Sequence, residues 1–221
     1  MRPAEVIAQA GTLLLDFDGP VCAVFAGFPA SVVAEQLRQV LAEGGHANLP
    51  GSVATSADPF DVLHYAATVG SDEARYVEVA FAAHEVEAIP SAMPTEGAHG
   101  LIRTWHASGR KIAIVSNNST SAINAYLDLY DIRAAIDVVS GRTGPDTALL
   151  KPNPHLLVQA INDLDVTPNE CVFIGDSLSD VEAAEAAGVR SIGFANKVGK
   201  SALLAEADAV TSTMAGLVAN S

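Results

Sequence analysis

Asp16 and Asp18 stand one residue apart where the apolar run Leu13-Leu14-Leu15 stops, directly before Gly19-Pro20. Two carboxylates crowded at such a point repel each other and lose hydration, which is unfavourable unless a cation sits between them. A hard divalent ion with oxygen ligands answers that need, Mg²⁺ above all. Three comparable places follow: Ser116-Asn117 after Lys111 to Val115, Lys151 before Pro152-Asn153-Pro154, and Gly175-Asp176 with Asp180 after Cys171 to Ile174. Each has an ordinary reading when taken singly. Ser116 suits a helix cap, Lys151 a solvated cation, Asp180 the first turn of a helix, and Asp16, Asp18 or Asp176 a turn. Four in succession, all at the ends of elements, are more than ordinary structure requires.

The elements that must position these residues read as an α/β fold. A continuous apolar run closed by Gly and Pro is what a central strand of a parallel sheet looks like, because both of its faces are covered. Ligands of open α/β sheets bind at the carboxyl ends of such strands. Further strands are expected at Lys111 to Val115, Ile136 to Val139, Cys171 to Ile174, Arg190 to Phe194 and Ala209-Val210. Helices are expected between them: Gly97 to Ser108, a segment ending at Leu129, one from the Pro152 and Pro154 turn to Leu164, and one ending at Gly188. Repeated β-α units of this kind make a doubly wound parallel sheet with right-handed crossovers. From Pro20 to about Pro94 the pattern is helical only. Ser31 to Leu41 carries one apolar face, Asp58 is placed to cap a second helix, and Ser71 to cap a third running through Val86. Ile89 to Pro94, with two prolines, stiffens the exit from this bundle of three or four helices.

Bulk properties exclude several classes. The 221 residues allow one sizeable core plus a smaller appended domain. A formal net charge of -14 would repel nucleic acid and anionic lipid, so neither is expected as a partner. Cys22 and Cys171 are the two cysteines; small buried thiols and a reducing, cytoplasmic location are expected rather than a disulfide. No signal-peptide layout or membrane-length apolar run is present, and the expected state is a monomer or homodimer. His46, His64, His84, His99, His106 and His155 show no paired ligand spacing.

With these residues in place, the sequence resembles the haloacid dehalogenase-like superfamily. Asp16-Phe17-Asp18-Gly19 matches its first motif, Asp-x-Asp-Gly. Val115-Ser116-Asn117 matches the second, Lys151 before Pro152 the third, and Gly175-Asp176 with Asp180 the fourth. The helical insert is similar to the superfamily's first type of cap, as in phosphoglycolate phosphatase-like members. The resemblance implies a Rossmann-like catalytic core of residues 1–19 and 95–221 and an all-helical cap of residues 20–94. It implies Mg²⁺-dependent hydrolysis of a small phosphorylated substrate through an aspartyl-phosphate. Asp16 would be the nucleophile and Asp18 the acid and base. Ser116, the Asn117 backbone N–H and Lys151 would hold phosphate. Asp16, the main-chain carbonyl of Asp18, Asp176 and Asp180 would hold the metal. The cap would swing about Gly19-Pro20 and Ile89 to Pro94. One departure is Pro20, which removes a backbone donor where many members carry a hydroxyl or β-branched residue.

Related chemistries fit less well. A dehalogenase typically lacks the second carboxylate, which Asp18 supplies. Phosphonoacetaldehyde hydrolases and β-phosphoglucomutases of this fold use a cap lysine, yet the insert contains none, the four lysines being Lys111, Lys151, Lys197 and Lys200. A catalytically silent binding module would be expected to have lost a motif residue. Between Pro20 and Pro94 the cations are Arg38 and Arg75 against Glu35, Glu43, Asp58, Asp61, Asp72, Glu73, Glu78, Glu85 and Glu87. Most of these acids are expected on a solvated face; any that face the cleft would disfavour a second negative charge on the leaving group. Arg142, ahead of Lys151, is left between a substrate contact and a solvated cation.

Overall fold

The computed structural model describes residues 1–218. In order, the elements are α1 (Pro3–Ala8), β1 (Thr12–Leu15), β2 (Cys22–Ala23), α2 (Ala30–Glu43), α3 (Gly51–Ala54), α4 (Pro59–Val69), α5 (Ser71–Ala88), β3 (Met93–Pro94), α6 (Ala98–Ala107), β4 (Lys111–Ser119), α7 (Thr120–Leu129), β5 (Val138–Arg142), α8 (His155–Leu164), β6 (Cys171–Gly175), α9 (Leu178–Ala187), β7 (Arg190–Phe194), α10 (Lys200–Leu203), β8 (Ala209–Thr211) and α11 (Ala215–Val218). Six strands form a parallel sheet in the order β5-β4-β1-β6-β7-β8. The expected doubly wound α/β fold is therefore present.

Strand periodicity explains the two layers around the sheet. Leu13 and Leu15 share a core with Leu101, Ile102 and Trp105 of α6 and with Ile123 and Tyr126 of α7. Leu14, between them, faces the opposite way, into a core with Leu157, Ala160 and Ile161 of α8 and Ala183 and Ala184 of α9. Alternate side chains of one strand thus fill both covers, as a fully buried strand requires. β1 is central, flanked by β4 and β6, so its carboxyl end opens in the middle of the sheet edge.

Helices α2 to α5 lie between β2 and β3. Their apolar faces meet at Leu37, Val62, Leu63, Val77 and Phe81, in the core that also holds Leu14 and Phe173. Asp58 accepts from Phe60 N at 2.9 Å and caps α4 as its type predicts. Ser71 does not cap α5: Gly70 holds that position without a side-chain bond, and Ser71 is the first helical residue. The two chain crossings are joined, because Cys22–Ala23 pairs antiparallel with Met93–Pro94 and Thr95 Oγ1 donates to Gly19 O at 2.6 Å. Two-residue strands carry no readable periodicity.

Other boundaries moved as well: β4, expected to stop at Val115, continues to Ser119. β5 begins at Val138 and runs through Gly141 and Arg142, which read as loop from sequence; a side chain at Gly141 would press on the Asn118 carbonyl, so glycine lets the strands continue side by side. Pro152 and Pro154 precede α8 rather than occupying its first turn, with Pro154 as N-cap. Helix α1, unread in the sequence, packs Val6 and Ile7 into the core. No helix among the described residues is long and apolar enough to cross a membrane. Cys22 and Cys171 are buried and free, as expected.

Candidate active site

The carboxyl ends of β1, β4 and β6 bring all seven singled-out residues together. A cleft of about 340 Å³ is lined on the sheet side by Asp16, Asp18, Ser116, Asn117, Asn118, Lys151, Asp176, Ser177, Ser179 and Asp180. Its other wall is the start of α4: Asp58, Phe60, Asp61 and His64.

Asp16 continues the β1 ladder, its N–H donating to Ile174 O at 2.9 Å, so the strand itself fixes its side chain. Lys151 Nζ donates to Asp16 Oδ1 at 2.8 Å and to Asp180 Oδ1 at 2.5 Å. All three groups are buried. A buried ammonium between two carboxylates is the arrangement that low-dielectric surroundings demand of charge. Burial opposes the Lys151 charge, but Asp16 and Asp180 outweigh it and hold the ammonium above its ordinary pKa. Asp16 is pushed up to about 7 by burial first and then by Asp180, with Lys151 opposing.

Asp18 Oδ1 accepts from Val24 N at 2.9 Å, and burial raises its pKa to about 6 against that bond. Gly19, at φ +112, lies so close to Asp176 that a Cβ would collide with its carboxylate. Glycine therefore lets the loops after β1 and β6 touch. Gly175 does the same for Asp180, which folds back over the strand end. There, Asp180 Oδ2 accepts from the N–H groups of Asp176 and Ser177, both at 3.0 Å, and from Ser177 Oγ at 2.6 Å.

Carboxylate oxygens of Asp16, Asp176 and Asp180 lie within 4.8 Å of one another. Such an all-oxygen, anionic donor set fits a hard divalent ion. Asp180 is the least free of the three, since both its oxygens already hold protein donors. Asp176 Oδ2 is also engaged, by Asn196 Nδ2 at 3.0 Å and by the Lys200 ammonium. Lys200 and Asn196 were not singled out from sequence; they follow β7 without any motif to mark them.

The second strand end departs from regular pairing. β4 and β5 shift register between Val115 and Ser119, so residues 116–118 bulge toward the cleft. Buried Ser116 donates from Oγ to Asn118 Oδ1 at 3.1 Å. The Asn117 side chain has a use that sequence did not suggest: its Oδ1 accepts from Lys151 N at 2.8 Å and its Nδ2 donates to Lys151 O at 3.1 Å. It pins the lysine segment to the turn. Arg142 is neither solvated nor at the cleft. It is buried, pairing with Glu85 at 2.8 Å and Glu78 at 3.4 Å, both from α5. Glu78 and Glu85 thus leave the expected solvated face, whereas Asp58 and Asp61 do face the cleft.

The likeness to known proteins is uneven along the chain. Over 107 residues it is 36% identical to a phosphoglycolate phosphatase of Salmonella paratyphi A, a stretch covering 48% of this chain and 42% of that enzyme. A phosphoglycolate phosphatase of Escherichia coli is 34% identical over 88 residues, 40% of this chain and 34% of that one. The chain thus spans less than half the length of these curated relatives. Among solved structures, CbbY from Rhodobacter sphaeroides in complex with phosphate superposes with a TM-score of 0.69 at 20% identity, covering 94% of this chain and 96% of that one. A predicted phosphoglycolate phosphatase from Haemophilus somnus gives 0.67 at 18% identity, with 96% and 97% covered. These two share the fold. The model of the haloacid dehalogenase-like hydrolases matches residues 11–188, from the start of β1 to the end of α9, and the chain belongs to that family.

Proposed function

We propose that the protein is a Mg²⁺-dependent phosphatase acting on a small phosphorylated metabolite through an aspartyl-phosphate on Asp16, with α2 to α5 as the cap. The observation that carries this reading is the buried Lys151 bridge between Asp16 and Asp180 at the floor of a cleft that Asp18 and Ser116 also line. The partial likeness to phosphoglycolate phosphatases supports it.

Phosphoryl transfer needs an in-line nucleophile and fixed charge around the equatorial oxygens. Ser116 Oγ, the N–H groups of the bulged turn and the Lys151 ammonium supply donors to those oxygens. The Asp16 carboxylate attacks phosphorus while the bond to the ester oxygen breaks, and Asp18 gives that oxygen its proton. Burial lifts the Asp18 carboxyl to about 6, nearer neutrality than an ordinary carboxyl, which brings its protonated form within reach for the first step while leaving it ionised for the second. Asp18, now ionised, takes a proton from water as the water oxygen bonds to phosphorus. The bond to Asp16 then breaks, leaving inorganic phosphate, a free Asp16 carboxylate and protonated Asp18. Asp16, Asp176 and Asp180, with the Asp18 carbonyl, would hold Mg²⁺, which when bound supplies charge neutralisation for the phosphate oxygens and the acids.

The test is turnover of an aryl phosphate. EDTA should abolish it and Mg²⁺ restore it; undiminished turnover in metal-free buffer would instead favour metal-independent chemistry at the same aspartate.

A further inference from the structure

Helix α5 reaches into the phosphate-binding turn through Glu85, a carboxylate with 0% exposure. Its Oε1 accepts from Asn118 Nδ2 at 2.9 Å and its Oε2 from the Ser119 N–H at 3.0 Å. Arg142, on β5, pairs with the same carboxylate at 2.8 Å and donates from Nη1 to Asn117 O at 2.7 Å. Asn118, so held, accepts from Ser116 Oγ. Asn117, Asn118 and Ser119, at and just after the bulge, therefore take partners from the Glu85–Arg142 pair rather than from regular ladder bonds. A bulge leaves backbone groups unpaired in its ladder, and buried groups of that kind need other partners. Here one ion pair, half of it from the helical section, provides them. The guanidinium also sits 4.4 Å from the Phe81 ring centre, so the same helix walls it in.

We propose that Glu85, with Arg142, is a positioning residue: it sets the Ser116–Ser119 turn for phosphate only when α5 is seated on the sheet, linking the cap's position to phosphate affinity. The proposal rests on the phosphatase reading, since it takes that turn as the phosphate site. Neither residue lines the cleft, so both act through Asn117, Asn118 and Ser119. Coupling of this sort is reciprocal: whatever tightens the turn around phosphate must also tighten the seat of α5.

The test uses inorganic phosphate as probe and two variants. Glu85→Gln keeps the shape but leaves the buried arginine only its longer contact to Glu78; Glu85→Gln/Arg142→Gln removes both charges of the closer pair and guards against a buried arginine left underpaired. In a folded double variant, the inhibition constant of phosphate and the KM of an aryl and an alkyl phosphate should all rise about tenfold or more, by similar factors, because the phosphate is common to all three. Unchanged KM and phosphate inhibition, with only kcat or melting temperature lowered, would show a purely structural pair and overturn the proposal. Hydrogen exchange on the unaltered protein provides an arm independent of the variants. Phosphate should slow exchange at residues 83–88 together with 116–119; protection of the turn alone would also overturn it. Absence of any turnover by the unaltered protein would instead refute the phosphatase reading, while the exchange comparison would still decide on the coupling.

Discussion

At the scale of single residues, the site is governed by how few cations serve many acids. Lys151 alone bridges Asp16 and Asp180, and burial, then the Asp180 charge, raises Asp16 to about 7 against the lysine. The unfolded chain ionises Asp16 near the ordinary carboxylate value of about 4. Between those two values the metal-free folded state holds a proton that the unfolded state has lost, so stability falls as pH rises through that window. Urea midpoints measured in EDTA should decline from about pH 4 to pH 7, and Asp16→Asn should flatten the decline while abolishing turnover. An unchanged slope in the variant would show that Asp16 is not the group responsible. Lys200 poses a second question, because its ammonium occupies the Asp176 oxygen that faces it. Removing that like charge by Lys200→Gln should tighten Mg²⁺ binding several-fold in calorimetric titration; weaker binding would mean that the lysine chiefly orients Asp176.

At the scale of elements, α4 and its N-cap supply the wall of the cleft across from the strand ends. Its N-cap Asp58 and, within its first two turns, Asp61 and His64 line the cleft, and this wall carries no lysine or arginine among the residues that line it. A leaving group with its own carboxylate would meet two acids there. Asp58→Asn/Asp61→Asn should therefore raise kcat/KM for phosphoglycolate relative to an uncharged alkyl phosphate by roughly fivefold, about 1 kcal/mol for partly screened charges. An unaltered ratio would show that the wall does not read the leaving group's charge. The same helix shows what a sequence can and cannot tell. Asp58 as N-cap follows from residue type at a helix start, whereas its place at the cleft depends on how α4 is carried back over β1, by contacts far apart in the chain.

For the whole molecule, the sheet and its active edge were legible because both follow from local patterns. Leu13 to Leu15 reads as a two-sided strand, and the polar groups that end β1, β4 and β6 are adjacent in space because parallel strands align their carboxyl ends. The parts that were not legible depend on pairing at a distance. Arg142 and Glu85 are 57 residues apart, and either alone looks like a surface charge; only packing of α5 on the sheet makes them partners. The Asn117 amide and Lys151 backbone, 34 residues apart, meet for the same reason. The short β2–β3 pairing lies below the length at which strand periodicity exists. Such features fix the turn, the lysine and the two chain crossings around Asp16, which one strand already holds in place.

The central claim is that Asp16 becomes phosphorylated, and Asp18→Ala gives direct access to it. Without Asp18, a good leaving group still departs from phosphorus, but water is no longer activated, so the intermediate accumulates. Rapid-quench mass spectrometry of Asp18→Ala with p-nitrophenyl phosphate should show a burst of phenolate and a phosphorylated peptide carrying the modification on Asp16. Steady turnover with no modified Asp16 at any time point, or a phosphoryl group found on another residue, would contradict the account.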